Sequence, residues 1–510
     1  MGAVFFCPHL ADNLFRGQNM EGIKIEKNKN GDLTASVSGL RLCSAYSPQK
    51  EAERFVENLK CSFEPSTVVI TGPCLDYAAA PLKKRFGKIK LIAVHYAPEL
   101  SGQNVWDKEF ISFRDSNLAE ELYSYLGEEE ICATLFCSWP PSEKIFAEEY
   151  HHAWSEIKTA VVKSRNVLAT MTYFAKRWTK NAINFCLFSH KNAYIQKGSS
   201  AVLICASGRS LESSVPFIKK FRKRFFLIAL SSALSPLHAS EIIPDLILST
   251  DGGYWAKKHL SFSLCNDYDV PLALPAEAAC FKKFYDSTII PLSYGDGCSE
   301  ALIRECGYTN MHAYRNGTVS GTAALFALDI TDGPVFFCGL DLAPSKGFAH
   351  TQPNELENEN SSGDFRLRTK ETRIVPSTFQ SPALSTYLAW FQNQDFHGRV
   401  HRLSDHFPFG NTLGSVDDVD WSYFENNAGT GRKPNFVYKN NDFKTEERKN
   451  QLASIVYAHI KDPEWIKNAL PAEYVVMRRQ GNDSEGSLDK KMKDFCDEIL
   501  MKCSCAREEK

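Results

Sequence analysis

No stretch of this 510-residue chain approaches the length of an apolar membrane span. Its opening residues, MGAVFFCPHL, lack the basic lead and long apolar run of a secretory signal. A charge of one sign is missing too: 59 Lys and Arg stand against 61 Asp and Glu, a formal net charge of −2. Without a basic field, neither nucleic acid nor an anionic membrane is expected as a partner. The basic run Lys219–Arg224 has helical spacing and reads as a solvated face. The 16 cysteines form no Cys/His set with zinc spacing, and Cys503 and Cys505 have no matching pair, so no metal centre is expected. Cys205 and Cys338 lie inside apolar runs, which suits reduced, buried thiols in a cytoplasmic protein better than a disulfide framework. No P-loop and no Ser/His/Asp order is present. What remains, at 43% hydrophobic and 24% charged residues, is an ordinary globular composition long enough for two or three domains.

The most informative stretch runs from Ser200 to Trp255. Ala201 to Ala206 is an apolar run rich in Val, Ile and Leu, as in a buried strand. The turn Ser207-Gly208-Arg209-Ser210 follows, and then an amphipathic helix from Leu211 to Arg224 with Leu211, Val215, Ile218 and Phe221 on one face. Strands from Phe225 to Leu230 and from Asp245 to Ser249 complete a βαβ pattern, with Asp251 just beyond. In a doubly wound sheet such strand ends face the ligand crevice. Gly208 lets backbone amides approach a ligand, and Ser210 can cap the helix while leaving amides for an anion. A valine at Gly208 should therefore abolish binding and leave the fold intact. A single glycine also fits an ordinary turn, and Ser231-Ser232 stands where a dinucleotide-binding fold would carry an acid.

A second block reads Asn316-Gly317-Thr318-Val319-Ser320-Gly321-Thr322, opening an apolar helix at Ser320-Gly321. The strand Val335 to Cys338 then leads to Gly339-Leu340-Asp341. Ser320 serves equally as a plain N-cap or as part of an anion cradle. Asp251 and Asp341 are strand-end carboxylates, suited to a ribose, an acceptor or a metal as well as to loop amides. From Ala343 to Thr369 the chain reads as one long polar loop, a mobile lid or binding loop holding His350, whose imidazole titrates near neutral pH.

Residues 1–147 read as an N-terminal α/β domain, 148–197 as a helical connector, 198–415 as the central domain and 416–510 as a helical C-terminal region fraying after Met501. Within the first, Lys29-Asn30-Gly31-Asp32 is a hairpin turn. Gly72, Leu75, Asp76, Ile92 and Ala93 recur at the offsets of Gly208, Leu211, Glu212, Ile228 and Ala229. Recurrence of a common βα unit accounts for this better than duplication.

Gly208-Arg209-Ser210-Leu211, Pro244-Asp245, Ser249-Thr250-Asp251, Ser320-Gly321 and Gly339-Leu340-Asp341, in that order, resemble the central domain of the motility accessory factor (Maf) flagellin glycosyltransferases and their MptE-like, 6-hydroxymethylpterin pyrophosphokinase-like relatives. Arg177-Trp178 with Asn181 and Asn184 resembles the lead-in of that domain. The resemblance spans about Arg177 to about Gly414 and departs at Arg209, where proline is usual, and at Ser231, where an acid is common.

The resemblance implies an α/β protein with a Rossmann-like, sialyltransferase-like central domain. It also implies transfer of a nonulosonic sugar, of pseudaminic or legionaminic type, from a CMP-sugar to Ser/Thr of flagellin. Gly208, Arg209, Ser210, Asp251, Thr318, Ser320 and Gly321 would bind the nucleotide-sugar, with His350 and Asp341 catalytic. No cofactor is required, and Mg²⁺ is left open. Two alternatives stand beside this: a Mg²⁺-dependent pterin pyrophosphokinase with Asp251 and Asp341 on the metal, and a non-enzymatic flagellin-binding accessory protein.

Overall fold

Runs of β-branched and apolar residues short enough to be strands and bare of polar groups can only be buried on both faces. The central part of this chain is built from them. The computed structural model describes residues 22–102, 104–112, 116–265, 269–379, 382–404, 408–480 and 485–505. The opening segment, read as lacking a signal, and the last residues of the tail expected to fray lie outside the described residues. Two compact units divide the chain: one from the first described residues to Tyr173 with Leu470–Lys490, the other Phe174–Ala469 with Lys491 onward. The helix Ala147–Phe188 contributes to both.

The second unit holds a nine-stranded sheet, parallel throughout. By position across the sheet, its strands are Met311–His312, Ile289–Ser293, Leu272–Pro275, Leu246–Leu248, Phe225–Leu230, Ala201–Cys205, Val335–Cys338, Val400–Leu403 and Asp417–Val419. The fold is thus α/β and doubly wound, as the sequence implies. Val202, Leu203 and Ile204 are fully buried, each contributing about 1.5–3 kcal/mol. Helix Val319–Ile330 covers one face with Ala323, Ala324, Phe326, Ala327 and Ile330. On the other face Phe221, Phe225, Phe336 and Trp421 gather around Phe424. Helix Leu211–Phe221 supplies Phe221, and its buried stripe includes Leu211 and Ile218, with Val215 half-buried.

At the amino edge Arg222 donates to Asp245 (3.0 Å), whose carboxylate also accepts from the Leu227 amide (2.7 Å). The Pro244-Asp245 motif therefore anchors a strand start, away from the carboxyl edge. Lys219, Lys220 and Arg224, from the same basic run, face Glu241, Glu425 and the Glu425 carbonyl.

In the first unit the strands Lys108–Ile111, Lys90–His95, Thr67–Thr71 and Thr134–Ser138 form a second parallel sheet in that order. The hairpin expected at Gly31 is present: Ile23–Lys27 pairs antiparallel with Leu33–Val37, and Asn28 Oδ1 accepts from the amides of Asn30 and Asp32, both at 2.9 Å.

Three expectations change. The segment from Ala343 to Thr369 is not one structureless loop, because helix Glu355–Ser361 and a two-stranded ribbon, Ser345–Lys346 with Thr378–Phe379, order it. The region after 415 is not purely helical: Asp417–Val419 closes the large sheet, and Asn435–Tyr438 pairs antiparallel with Ala193–Gln196. Helix Val319–Ile330 begins before Ser320-Gly321, with Thr318 as N-cap. Cys205 and Cys338 are free thiols, register partners on adjacent strands and both fully buried. Among the described residues no helix is long and apolar enough to cross a membrane.

Candidate functional site

From Ala201–Cys205 the chain winds outward one strand at a time to Met311–His312; Val335–Cys338 then returns to the opposite side of Ala201–Cys205. That reversal is a topological switch point, where the loops after two adjacent strands diverge and leave a crevice. The loops concerned are Ala206–Ser210 and Gly339–Leu342.

They are locked together. The Gly208 amide donates to the Gly339 carbonyl (2.8 Å) and the Ala206 amide to the Cys338 carbonyl (2.9 Å). A Cβ on Gly208 would stand 2.4 Å from the Gly339 carbonyl oxygen and 2.6 Å from Asp341 Cγ. Gly208 is thus required by close backbone packing, with no positive φ, and a valine there would disrupt the fold rather than spare it. Gly339 (φ +73°) and Leu342 (φ +46°) hold the left-handed conformation around Asp341.

Asp341 fills the seat expected for an anion. Its Oδ2 accepts from the Ser210 amide (3.1 Å), its Oδ1 from the Ser210 hydroxyl (2.5 Å), and the Arg209 amide adds a third bond. Ser210 therefore does not cap the helix with its own side chain. The helix start after Gly208 is closed by a carboxylate of the protein, and Arg209 is exposed beside it. Burial raises the Asp341 carboxyl above its ordinary range, opposed by the bonds from Ser210.

His350 does reach this point. Its Nδ1 lies 3.0 Å from Ser207 Oγ, which also accepts from Ser232 Oγ (2.9 Å). The segment carrying it is fastened to the turn: the Thr351 amide donates to the Ser207 carbonyl (2.8 Å) and the Thr351 hydroxyl to the Gly208 carbonyl (2.6 Å). Asn354 Nδ2 donates to the Ser232 carbonyl (3.2 Å). Burial first, and the neighbouring His259 next, push the His350 imidazole down to about 4. A cavity of about 410 Å³ opens alongside, lined by His350, Gln352, Asn354, Glu357, Asn360 and Arg373 among others.

The remaining expected residues lie further along the same edge. Thr318 makes no cap hydrogen bond, and neither it nor Ser320 gives its hydroxyl to a partner among the described residues. Asn316 Nδ2 is buried without one. Gly321 is required by Trp390, whose ring would lie 2.7 Å from a Cβ. Asp251 is exposed, with Oδ1 accepting from the Gly253 amide (2.8 Å), and its charge is felt by Tyr387. Helix Pro382–Gln392 carries both Tyr387 and Trp390, so Asp251 and Gly321 flank one element. From the lead-in, Trp178 abuts Gly252, and Asn181 Nδ2 donates to the Glu277 carbonyl (2.9 Å).

Asp251 and Asp341 follow strands that have two others between them. Asp341 is committed to Ser210, so direct binding of one Mg²⁺ by both carboxylates would have to displace those bonds. Among the described residues no three His, Cys, Asp or Glu side chains converge as a metal site.

Several contributors escaped the sequence reading. His259 Nδ1 lies 2.7 Å from Glu355 Oε2, and Ser235 donates to Glu355 Oε1. Arg402, fully buried, binds Asp418 and Asn411 and donates to the Leu340 carbonyl, while Asn411 Nδ2 donates to the carbonyls of Asp341 and Leu342, both at 3.0 Å. Arg315 bridges buried Glu277 (2.8 Å) and Asp296 (2.8 Å). None of these pairs has a local spacing that announces it; only the buried arginine in an apolar strand was a signal.

Residues 176–347 match the family model described as 6-hydroxymethylpterin diphosphokinase MptE-like. A curated relative, an uncharacterised protein of Treponema pallidum (strain Nichols), is 28% identical over 295 residues, 57% of this chain. The chain spans 64% of the length of that relative. A solved structure, the Maf glycosyltransferase from Magnetospirillum magneticum AMB-1, aligns at 13% identity and a TM-score of 0.49, over 94% of this chain and 91% of that one.

Proposed function

We propose that this chain, which carries an MptE-like domain over residues 176–347, is a Maf-type glycosyltransferase that moves a nonulosonic sugar of pseudaminic or legionaminic type from its CMP carrier to Ser/Thr of flagellin. The observation that carries the reading is the contrast between two helix N-termini on one sheet edge. The one after Gly208 is closed by Asp341, whereas the one after Thr318 keeps its amides, two hydroxyls and Asn316 Nδ2 uncommitted among the described residues. A helix N-terminus carries about half a positive charge and suits the phosphate of the donor or the carboxylate of a nonulosonic acid. Asp251, exposed two strands from Gly208, is then the carboxylate free to meet ribose or acceptor hydroxyls.

The acceptor hydroxyl must also lose a proton. Asp341 is a poor acceptor for it, since both oxygens already receive hydrogen bonds from Ser210. The imidazoles near Ser207 are the remaining candidates. The kinase alternative needs Asp251 and Asp341 to share a metal, and Asp341 already accepts two hydrogen bonds from Ser210.

The test is calorimetric titration with CMP, CMP-N-acetylneuraminic acid and ATP with Mg²⁺, on the wild type and Thr318→Asp. Aspartate is a good N-cap, so melting temperature should hold or rise, while its charge in the anion seat should weaken CMP binding by more than about tenfold. Response to ATP with Mg²⁺ alone would instead favour the pyrophosphokinase, and no response at all the non-enzymatic accessory protein.

A further inference from the structure

Two imidazoles stand near the switch point, and they are held differently. His350 turns Nδ1 to the Ser207 hydroxyl, 3.0 Å away. His259, on helix Tyr254–Cys265, places Nδ1 2.7 Å from Glu355 Oε2. An ionised carboxylate can only accept, so Nδ1 of His259 carries a proton and the neutral ring keeps its lone pair on Nε2. Among the described residues that Nε2 has no hydrogen-bond partner. The two rings meet edge to face, with centroids 6.3 Å apart.

Glu355 is itself firmly placed. It begins helix Glu355–Ser361, whose N-cap Asn354 is tied to the Ser232 carbonyl, and its second oxygen accepts from Ser235. Glu359 on the same helix meets Tyr254 (3.3 Å) and Lys258 (3.9 Å) from the helix of His259. A base, a carboxylate that orients it and a ring nitrogen without a hydrogen-bond partner among the described residues form the arrangement used to move a hydroxyl proton, and the edge-to-face contact sets it against His350, which lines the polar cavity. His350, pushed down to about 4 by burial, is neutral near pH 7 and takes up a proton poorly.

We propose that His259 is the proton-transfer residue of the site and Glu355 its positioning residue, an assignment that rests on the glycosyl-transfer reading above. As the acceptor oxygen bonds to the anomeric carbon, its proton passes to His259 Nε2. The bond from that carbon to the phosphate oxygen breaks, and its electron pair leaves with CMP. The imidazolium, held on Glu355, then gives its proton to water. His350 positions the hydroxyls of Ser207 and Ser232 throughout.

The experiment measures CMP release from CMP-pseudaminic, CMP-legionaminic and CMP-N-acetylneuraminic acids with flagellin present. It compares the wild type with His259→Ala, His259→Gln, Glu355→Gln and His350→Gln, with melting temperature and CMP affinity read on each. His259→Ala should lose about 10²–10⁴-fold in kcat with CMP affinity within about threefold, and added imidazole should restore turnover. Glu355→Gln should lower kcat and leave KM near normal, and His350→Gln should lose less than either His259 variant. If His259→Ala does not fold, His259→Gln carries the comparison. Turnover by a folded His259 variant within about threefold of wild type, no rescue by imidazole, or a larger loss in His350→Gln would each overturn the assignment while leaving the transfer reading standing. A wild type that neither binds CMP nor releases it from any donor would overturn that reading and this assignment with it.

Discussion

Each of the two units has a parallel sheet with a switch point and a glycine in the first βα turn, yet the two crevices are furnished in opposite ways. In the first unit Gly72 (φ +58°) turns the chain after Thr67–Thr71, and a Cβ there would stand 2.4 Å from the Tyr96 ring and 2.8 Å from Ser142 Cβ. Ser142 Oγ donates to the Gly72 carbonyl (2.6 Å). Cys74, Leu75, Trp139 and Phe146 are buried around the turn. In the second unit the turn at Gly208 meets Ser207, Ser210, Ser232, Asp341 and His350. Topology supplies a crevice in both; aromatic and aliphatic loop residues fill one, and hydroxyls, a carboxylate and an imidazole occupy the other. The strand registers differ as well: Val69 faces Ile92, whereas Cys205 faces Ala229. The matching sequence offsets thus fall one residue apart in the sheets, as expected of a recurring unit.

The strongest way to break the comparison is an alanine at each glycine. Gly72→Ala must strain a left-handed residue and displace Tyr96; Gly208→Ala must displace the Gly339 backbone and Asp341. Each should cost about 3 kcal/mol in urea unfolding of its unit. Only Gly208→Ala should also lower CMP affinity. Wild-type stability for Gly208→Ala would show that the turn is not locked as described.

Acid sharpens it next. His350 is depressed from 6.5 to about 4, so the unfolded state binds more protons between those values. Stability from this residue is present above about pH 6.5 and lost as pH falls through about 4, amounting to about 3 kcal/mol. Burial also lowers His95 in the first unit and His401 in the second. His350→Gln should therefore flatten, without abolishing, the fall in stability between pH 6.5 and 4. A slope equal to that of the wild type would place His350 in contact with solvent.

The smallest effect separates structure from function. Ser142→Ala removes the bond to the Gly72 carbonyl, and Thr351→Val removes the 2.6 Å bond to the Gly208 carbonyl. Each should cost about 1 kcal/mol. Thr351→Val alone should also reduce CMP release, since it loosens the segment that seats His350 and Glu355. Equal activity in the two variants would argue that this segment is scaffold only.

From sequence alone, the order of apolar runs determined the parallel sheet, because strands buried on both faces admit no polar alternation. Residues placed soon after those runs marked its carboxyl edge: Gly208, Asp251 and Asp341 follow the strands Ala201–Cys205, Leu246–Leu248 and Val335–Cys338. Local patterning also marked the helix Leu211–Phe221 and the hairpin at Gly31. What the chain could not announce was which polar groups satisfy one another across 100 residues or more. Ser210 reads as a cap, but Asp341, 131 positions on, takes its amide and hydroxyl. His350 reads as a mobile base, but burial against Ser207, 143 positions away, holds it neutral. His259 reads as one histidine on a helix until Glu355, 96 positions later, meets its ring. Backbone preferences and burial patterns act over a few residues and survive in sequence, whereas the partner of a buried charge is selected by desolvation within the finished fold, and only the tertiary structure decides it.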